Sequence, residues 1–263
     1  MTDGAPEADR LELITAAFPA DPVLDIALTH ALLLAVATGH HAPVLRIFRP
    51  GATAAFGRLD ALAPGFERAC AAAREHGYTP IVRSVGGHAA LFDESCVVLE
   101  HITYERDATA GLTARFEDQS RRVCVALAAL GVDARVGELP GEYCPGPHSV
   151  NAGGVKVAGI AQRLVRHGAV TSAVVVVAGG AMLRAAIEGV YAELAIAVDP
   201  AKAGALDELV HGLTAEQVAR ALHDAYAVDR RLALRAPDTA QLDAAHALAP
   251  RHRVPPRSAT IER

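Results

Sequence analysis

Twelve positions separate Cys144 from Lys156 in the stretch EYCPGPHSVNAGGVKVAGIAQR, and the two side chains could serve as a nucleophile and its acid-base partner. Pro140, Gly141, Pro145, Gly146 and Pro147 crowd the cysteine, so it is expected on a loop and not in a helix or central strand. A loop thiol is reachable, and it becomes reactive where a nearby cation favours the thiolate. Lysine is rare in this chain, occurring only at 156 and 202 beside 23 arginines. An ordinary surface charge here would be written as arginine, whereas a lysine ammonium is a compact charge that can hold an anion and exchange a proton. A solvated strand lysine and an idle loop cysteine are the plain alternatives. Arg83 followed by Gly86-Gly87 adds a cation beside backbone N–H groups that could approach an anion or a carbonyl oxygen, although a Gly-Gly pair alone is usually a turn.

The other three cysteines read differently. Cys70 falls on the apolar face of a helix, Cys96 beside Val97 and Val98 in a strand, and Cys124 within Val-Cys-Val-Ala, all as small buried hydrophobes. No C-x-x-C or other metal-ligand spacing occurs, so free thiols and no metal are expected.

These groups need a scaffold. With 263 residues, 51% of them hydrophobic, the chain can bury a sizeable core in one large domain with at most a small appendage. A net charge of −5 with no block of like charges excludes the footprint of a nucleic-acid binder. The longest nearly apolar stretch, Ala169 to Leu183, is too short to cross a bilayer, and the polar, acidic first ten residues do not read as a secretory signal, so a cytoplasmic, non-membrane protein is expected.

Asp21-Pro22 reads as the start of a helix that ends at Gly39, and PVLRIFR and ATAAF read as strands broken at Pro50-Gly51. Asp60 is expected to cap a helix closed by Gly77; TPIVRSV and a run from about Ala89 to Thr103 are strands. A helix from about Thr113 to Leu130 should bury Phe116, Val123, Leu127 and Leu130. HSVNA, VKVAGIAQRLV and AVTSAVVVVA then follow one another through Gly153-Gly154 and Arg166-His167-Gly168 turns, and Thr214-Ala-Glu-Gln has capping-box spacing. Strands in adjacent groups with helices between them predict an α+β fold with a mixed, largely antiparallel sheet and flanking helices. The expected organisation is a flexible N-terminus over 1–20, a catalytic domain over 21–230, and a C-terminal helix with a loose tail over 231–263.

Three stretches together resemble one superfamily. VRSVGGHAALFD (82–93) is similar to the Arg-x-x-Gly-Gly-x-Ala segment of the lipoate-protein ligases and octanoyltransferases, which share a catalytic fold with biotin ligases. GGVKVAGIAQR (153–163) resembles their Gly-x-Lys-x-x-Gly-x-(Ala/Ser)-Gln segment, and AFGRLD (55–60) falls at a glycine and polar strand end. EYCPG resembles the cysteine-dependent amidotransferase branch, which moves octanoyl groups from the glycine cleavage H protein to the lipoyl domains of 2-oxo acid dehydrogenases. The resemblance implies an acyltransferase in protein lipoylation, with Cys144 as nucleophile and Lys156 stabilising the thiolate and shuttling protons. It further implies that Arg83, Gly86, Gly87, His88, Ala89, Val157, Ala158 and Gly159 border the substrate, with Ala89, Ala90 and Val157 walling a narrow acyl tunnel. No cofactor is then expected. An ATP-dependent lipoate-protein ligase, with magnesium and with Lys156 on a phosphate, is the alternative, and a non-catalytic binder of acylated carrier domains is the second. Two departures stand out: Ser149 occupies the place of the branch's usual aspartate, and Val155 that of an additional basic residue. His88 and His148 are expected to be structural or pocket-lining.

Overall fold

Valine-rich segments such as CVVLEHITY place successive side chains on opposite faces, and here both faces are covered. The computed structural model describes residues 10–83 and 85–254. Its main sheet has eight strands: β1 (Arg10–Ile14), β2 (Val44–Phe48), β6 (Cys96–Tyr104), β7 (Arg135–Val136), β8 (Val150–Ala152), β9 (Val155–Val165), β10 (Gly168–Val176) and β11 (Arg231–Leu234). They lie in the order β11-β1-β2-β6-β10-β9-β8-β7, parallel across β11-β1-β2 and antiparallel beyond. A second, three-stranded sheet sets β3 (Thr53–Phe56) between β4 (Thr79–Val82) and β5 (Ala90–Phe92). The α+β reading with a mixed, mostly antiparallel sheet is what the molecule has.

The main sheet separates two cores. On one face, α1 (Pro22–Val36), α2 (Phe66–Glu75), α4 (Gly180–Glu193), α6 (Thr239–Leu248) and the small sheet enclose Val98, Ile102, Val170 and Val176. On the other, α3 (Leu112–Ala129) and α5 (Ala215–Ala227) cover Val97, Leu99, Ala173 and Val175. Each fully buried Val, Leu or Ile side chain contributes about 1.5–3 kcal/mol, so this alternation holds β6 and β10 in register.

Several expectations need correction. The strands over 43–49 and 52–56 form as expected but fall in different sheets, β2 in the main one and β3 in the small one. The run from 89 to 103 is likewise two strands in different sheets. Asp60 does not cap α2; it opens a short 3-10 turn and its carboxylate accepts from Gly57 N at 2.9 Å. Phe116 and Leu130 are only partly buried, as is Cys124. The stretch 1–20 is not loose throughout: Arg10–Ile14 lies between β2 and β11, which binds the segment after residue 230 into the same sheet. Asp238 caps α6, which packs on α1, and His252 Nδ1 lies 2.9 Å from the carbonyl of Val82. Residues 255–263 of the expected tail lie outside the described residues.

Candidate functional site

The loop between β7 and β8 carries Cys144 in a left-handed conformation, φ +42°, which costs a non-glycine residue about 1–2 kcal/mol. Two hydrogen bonds hold it there. Its N–H donates to the hydroxyl of Tyr191 on α4 at 2.9 Å, and its carbonyl accepts from Lys156 Nζ at 2.7 Å. Tyr191 donates onward to the carbonyl of Ala89 at 2.6 Å, and burial pushes its phenol well above the usual range, so it remains a neutral donor. The backbone on both sides of the thiol is thus tied to the fold.

The sulfur itself faces Arg83. Arg83 Nη2 lies 3.3 Å from Cys144 Sγ and also donates to the carbonyl of His88 at 2.5 Å. Gly87, at φ +94°, fits beneath them: a Cβ there would stand 2.9 Å from Sγ and 2.7 Å from Arg83 Nη2. Only glycine has both the conformation and the clearance. His88 in turn meets the buried Asp60 through Nδ1 at 2.7 Å. Chemically, this is a half-buried thiol with a fixed cation on its sulfur. Such a cation stabilises negative charge there during attack on a carbonyl.

Lys156 is buried, 1% exposed, and its three N–H donors are taken by Glu142 Oε1 at 3.0 Å, Tyr143 O at 3.0 Å and Cys144 O at 2.7 Å. It therefore braces the backbone that carries Cys144, and the contact expected between the lysine ammonium and the sulfur is made by Arg83 instead. A bulge explains the side chain's direction: Val150 pairs with Ala158 but Asn151 with Lys156, so β9 carries one extra residue.

Cys144, Arg83, Lys156 and Gly159 line a cavity of about 70 Å³. Ile26, Val85, Ala90, Phe92, Ile160 and Val174 supply apolar wall. Polar groups interrupt it, with Asp25, Thr29, Glu100 and Ser172 also on the wall. Arg46, fully buried, joins Asp25 Oδ1 at 3.1 Å, Glu100 Oε2 at 3.0 Å and Thr29 Oγ1 at 2.6 Å. Burial raises the Asp25 carboxyl to about 6 although Arg46 draws it down. The cavity is therefore mainly apolar, with these polar groups set into its wall.

A family model described as the lipoyl protein ligase A/B catalytic domain matches residues 21–227. The chain belongs to this family. An octanoyl-[GcvH]:protein N-octanoyltransferase from Geobacillus kaustophilus is 31% identical over 174 residues, covering 66% of this chain and 62% of that protein. One of the same name from Anoxybacillus flavithermus is 30% identical over 165 residues, covering 63% and 59%. The matched stretch thus spans about three-fifths of the length of these relatives. A putative lipoate protein ligase from T. acidophilum with bound lipoic acid superposes with a TM-score of 0.74 at 19% identity, covering 92% of this chain and 95% of that one. Lipoate-protein ligase A bound with ATP gives 0.70 at 19%, covering 92% and 94%. These two likenesses are of fold.

Within this lipoyl ligase fold the expected site residues divide. Cys144, Arg83, Gly87, Lys156 and Gly159 come together, and His88 joins them through its carbonyl. Gly86 stands apart, its N–H directed at Gln162 O at 3.4 Å. Ala89 is buried and meets the site through its carbonyl, while its neighbour Ala90 lines the cavity. Val157 and Ala158 belong to the opposite core, because the bulge turns both away from the cavity, so they do not wall an acyl tunnel. His148 stacks on Phe116 with ring centroids 4.8 Å apart. Cys70 and Cys96 are buried thiols, pushed by burial to about 11 and about 12. Among the described residues, no group of three or more His, Cys, Asp or Glu could hold a metal, and no helix is long and apolar enough to cross a membrane.

Glu142, Tyr191, Asp60 and the Arg46 cluster went unread in the sequence. A charged residue inside an apolar strand, as in VLRIF and VVLEHI, was the available signal for Arg46 and Glu100. Tyr191 gave none, since it approaches Cys144 only through tertiary packing.

Proposed function

We propose that this chain is an acyltransferase of protein lipoylation, passing an octanoyl or lipoyl group through a thioester on Cys144 to a lysine of a lipoyl-carrier domain. The thiolate of Cys144 attacks the acyl carbonyl of the donor; the S–C bond forms, the donor's C–N or C–S bond breaks, and the departing amine or thiol takes up a proton. The acceptor lysine, as free amine, then attacks the thioester, releases the Cys144 thiolate and loses its own proton. Arg83 stabilises charge on the sulfur in both steps. The names of the relatives support octanoyl carried on GcvH as donor and a protein as acceptor, and the sequence resemblance extends this to lipoyl domains of 2-oxo acid dehydrogenases as the acceptors.

The observation that carries the reading is the reachable thiol with a guanidinium on its sulfur, on the wall of a mainly apolar cavity. Each buried CH₂ contributes about 0.8 kcal/mol, enough for a medium chain to be held on the apolar wall. No nucleotide is required. The ATP-dependent alternative asks Lys156 to bind a phosphate, yet all three of its donors are engaged.

The test is intact mass after mixing the protein with octanoyl-carrier and no nucleotide. An octanoyl adduct on the wild type that disappears in Cys144→Ser is the expected result. Pyrophosphate release from ATP that survives Cys144→Ser would establish the ligase instead, and carrier binding without adduct or transfer would establish a non-catalytic binder.

A further inference from the structure

We propose that Glu142 is the positioning carboxylate of the site, acting on Cys144 through Lys156. Glu142 is buried, 2% exposed, and every acceptor position it uses is filled: Oε1 by Lys156 Nζ at 3.0 Å and by Ser149 Oγ at 2.5 Å, Oε2 by the backbone N–H of Leu139 at 3.0 Å. Lys156 is equally saturated, with its other two donors on the carbonyls of Tyr143 and Cys144. Two buried opposite charges, the ammonium with all three donors engaged and the carboxylate with three acceptances, form a rigid unit, because releasing either leaves an unpaired charge in the interior. One end of that unit is the carbonyl of the nucleophilic residue, whose left-handed backbone it helps to hold.

Two consequences follow from the charges alone. The carboxylate gives the buried Lys156 its opposite charge, which removal of Glu142 would leave unpaired in the interior. It also offsets the ammonium's charge near Cys144. Ser149 is then no vacant substitute for a carboxylate, since its hydroxyl steadies one that arrives from the other end of the same loop. Because Ser149 and Lys156 share Oε1 of Glu142, a carboxylate transplanted to position 149 would start within one hydrogen bond of the ammonium's partner atom.

That geometry prescribes the test, which for its transfer arm rests on the acyltransferase reading. Glu142→Ser should slow single-turnover octanoyl transfer at least about tenfold, equivalent to about 1.4 kcal/mol, with KM for the carrier little changed. The double variant Glu142→Ser with Ser149→Asp should recover the rate. A substrate-free arm keeps the two readings separable: iodoacetamide alkylation of Cys144 followed by mass against pH, in Glu142→Gln, which keeps the side chain's shape. Removing the buried negative charge should bring alkylation on at lower pH than in the wild type. If the wild type transfers nothing, the acyltransferase reading fails while alkylation still decides this one. A Glu142→Gln profile that superimposes on the wild type or moves to higher pH overturns the proposal. So does a folded double variant no faster than Glu142→Ser.

Discussion

Arg83 Nη2 lies 3.3 Å from Cys144 Sγ, and it is this guanidinium, from the loop after β4, that meets the sulfur, while Lys156 holds the carbonyl of the same residue. The two cations have divided Cys144 between them, one on its side chain and one on its backbone. Replacing Arg83 with Gln should leave the fold intact and slow acyl-enzyme formation. A hydrogen bond to a charged group contributes about 1.5–3 kcal/mol, so a loss of about 10–100-fold is expected in the appearance of the octanoyl adduct by rapid-quench mass measurement. An unchanged rate would remove Arg83 from the chemistry.

Gly87→Ala addresses the clearance under the sulfur. The added Cβ would press on Cys144 Sγ at 2.9 Å and on Arg83 Nη2 at 2.7 Å, at a φ of +94° that costs about 1–2 kcal/mol by itself. A fall in Tm of a few degrees and a larger loss of transfer are expected, since about 1 kcal/mol shifts Tm by only about 2–4 °C in a chain of this size. Equal activity in the two proteins would mean that the loop rearranges freely.

Lys156→Met should be strongly destabilising, by about 3–5 kcal/mol in urea denaturation, because it strands the buried carboxylate of Glu142. Combining it with Glu142→Leu should recover most of that stability and none of the transfer. Recovery of stability without activity separates the pair's role in folding from its role at the nucleophile.

The pair His30 and His252, whose ring nitrogens lie 3.1 Å apart, sets a pH dependence. Burial first, then Arg163, His252 and Arg251, lower His30 to about 4. The unfolded chain therefore takes up a proton near pH 6.5 that the folded chain refuses until about 4, so this contribution is present above about 6.5 and is lost as pH falls through that window. Asp25, raised to about 6, works in the opposite sense, since its folded carboxyl is protonated first as pH falls. Urea midpoints at pH 6.5, 5.5 and 4.5 should decline less steeply in His30→Asn than in the wild type; parallel curves would refute the assignment.

The meander β8-β9-β10 was legible because its signals are local: Gly153-Gly154 and Arg166-His167-Gly168 turns between runs of β-branched residues. The positions of β3 and β5 were not. Nothing within ATAAF or ALF says which of two sheets will complete its hydrogen bonds, and that choice depends on β4, more than twenty residues away from β3.

The same division runs through the site. Residue chemistry and spacing alone singled out Cys144, Lys156 and Arg83 and put the cysteine on a loop, because proline, glycine and a rare lysine carry their constraints with them wherever they fold. Which cation touches the thiol, which carboxylate answers the lysine, and that Val157 and Ala158 turn to the far core were decided only in three dimensions. A single extra residue in β9 redirects those side chains, and contacts from Tyr191 and Gly87 are set by how distant segments pack, which no short stretch of sequence encodes.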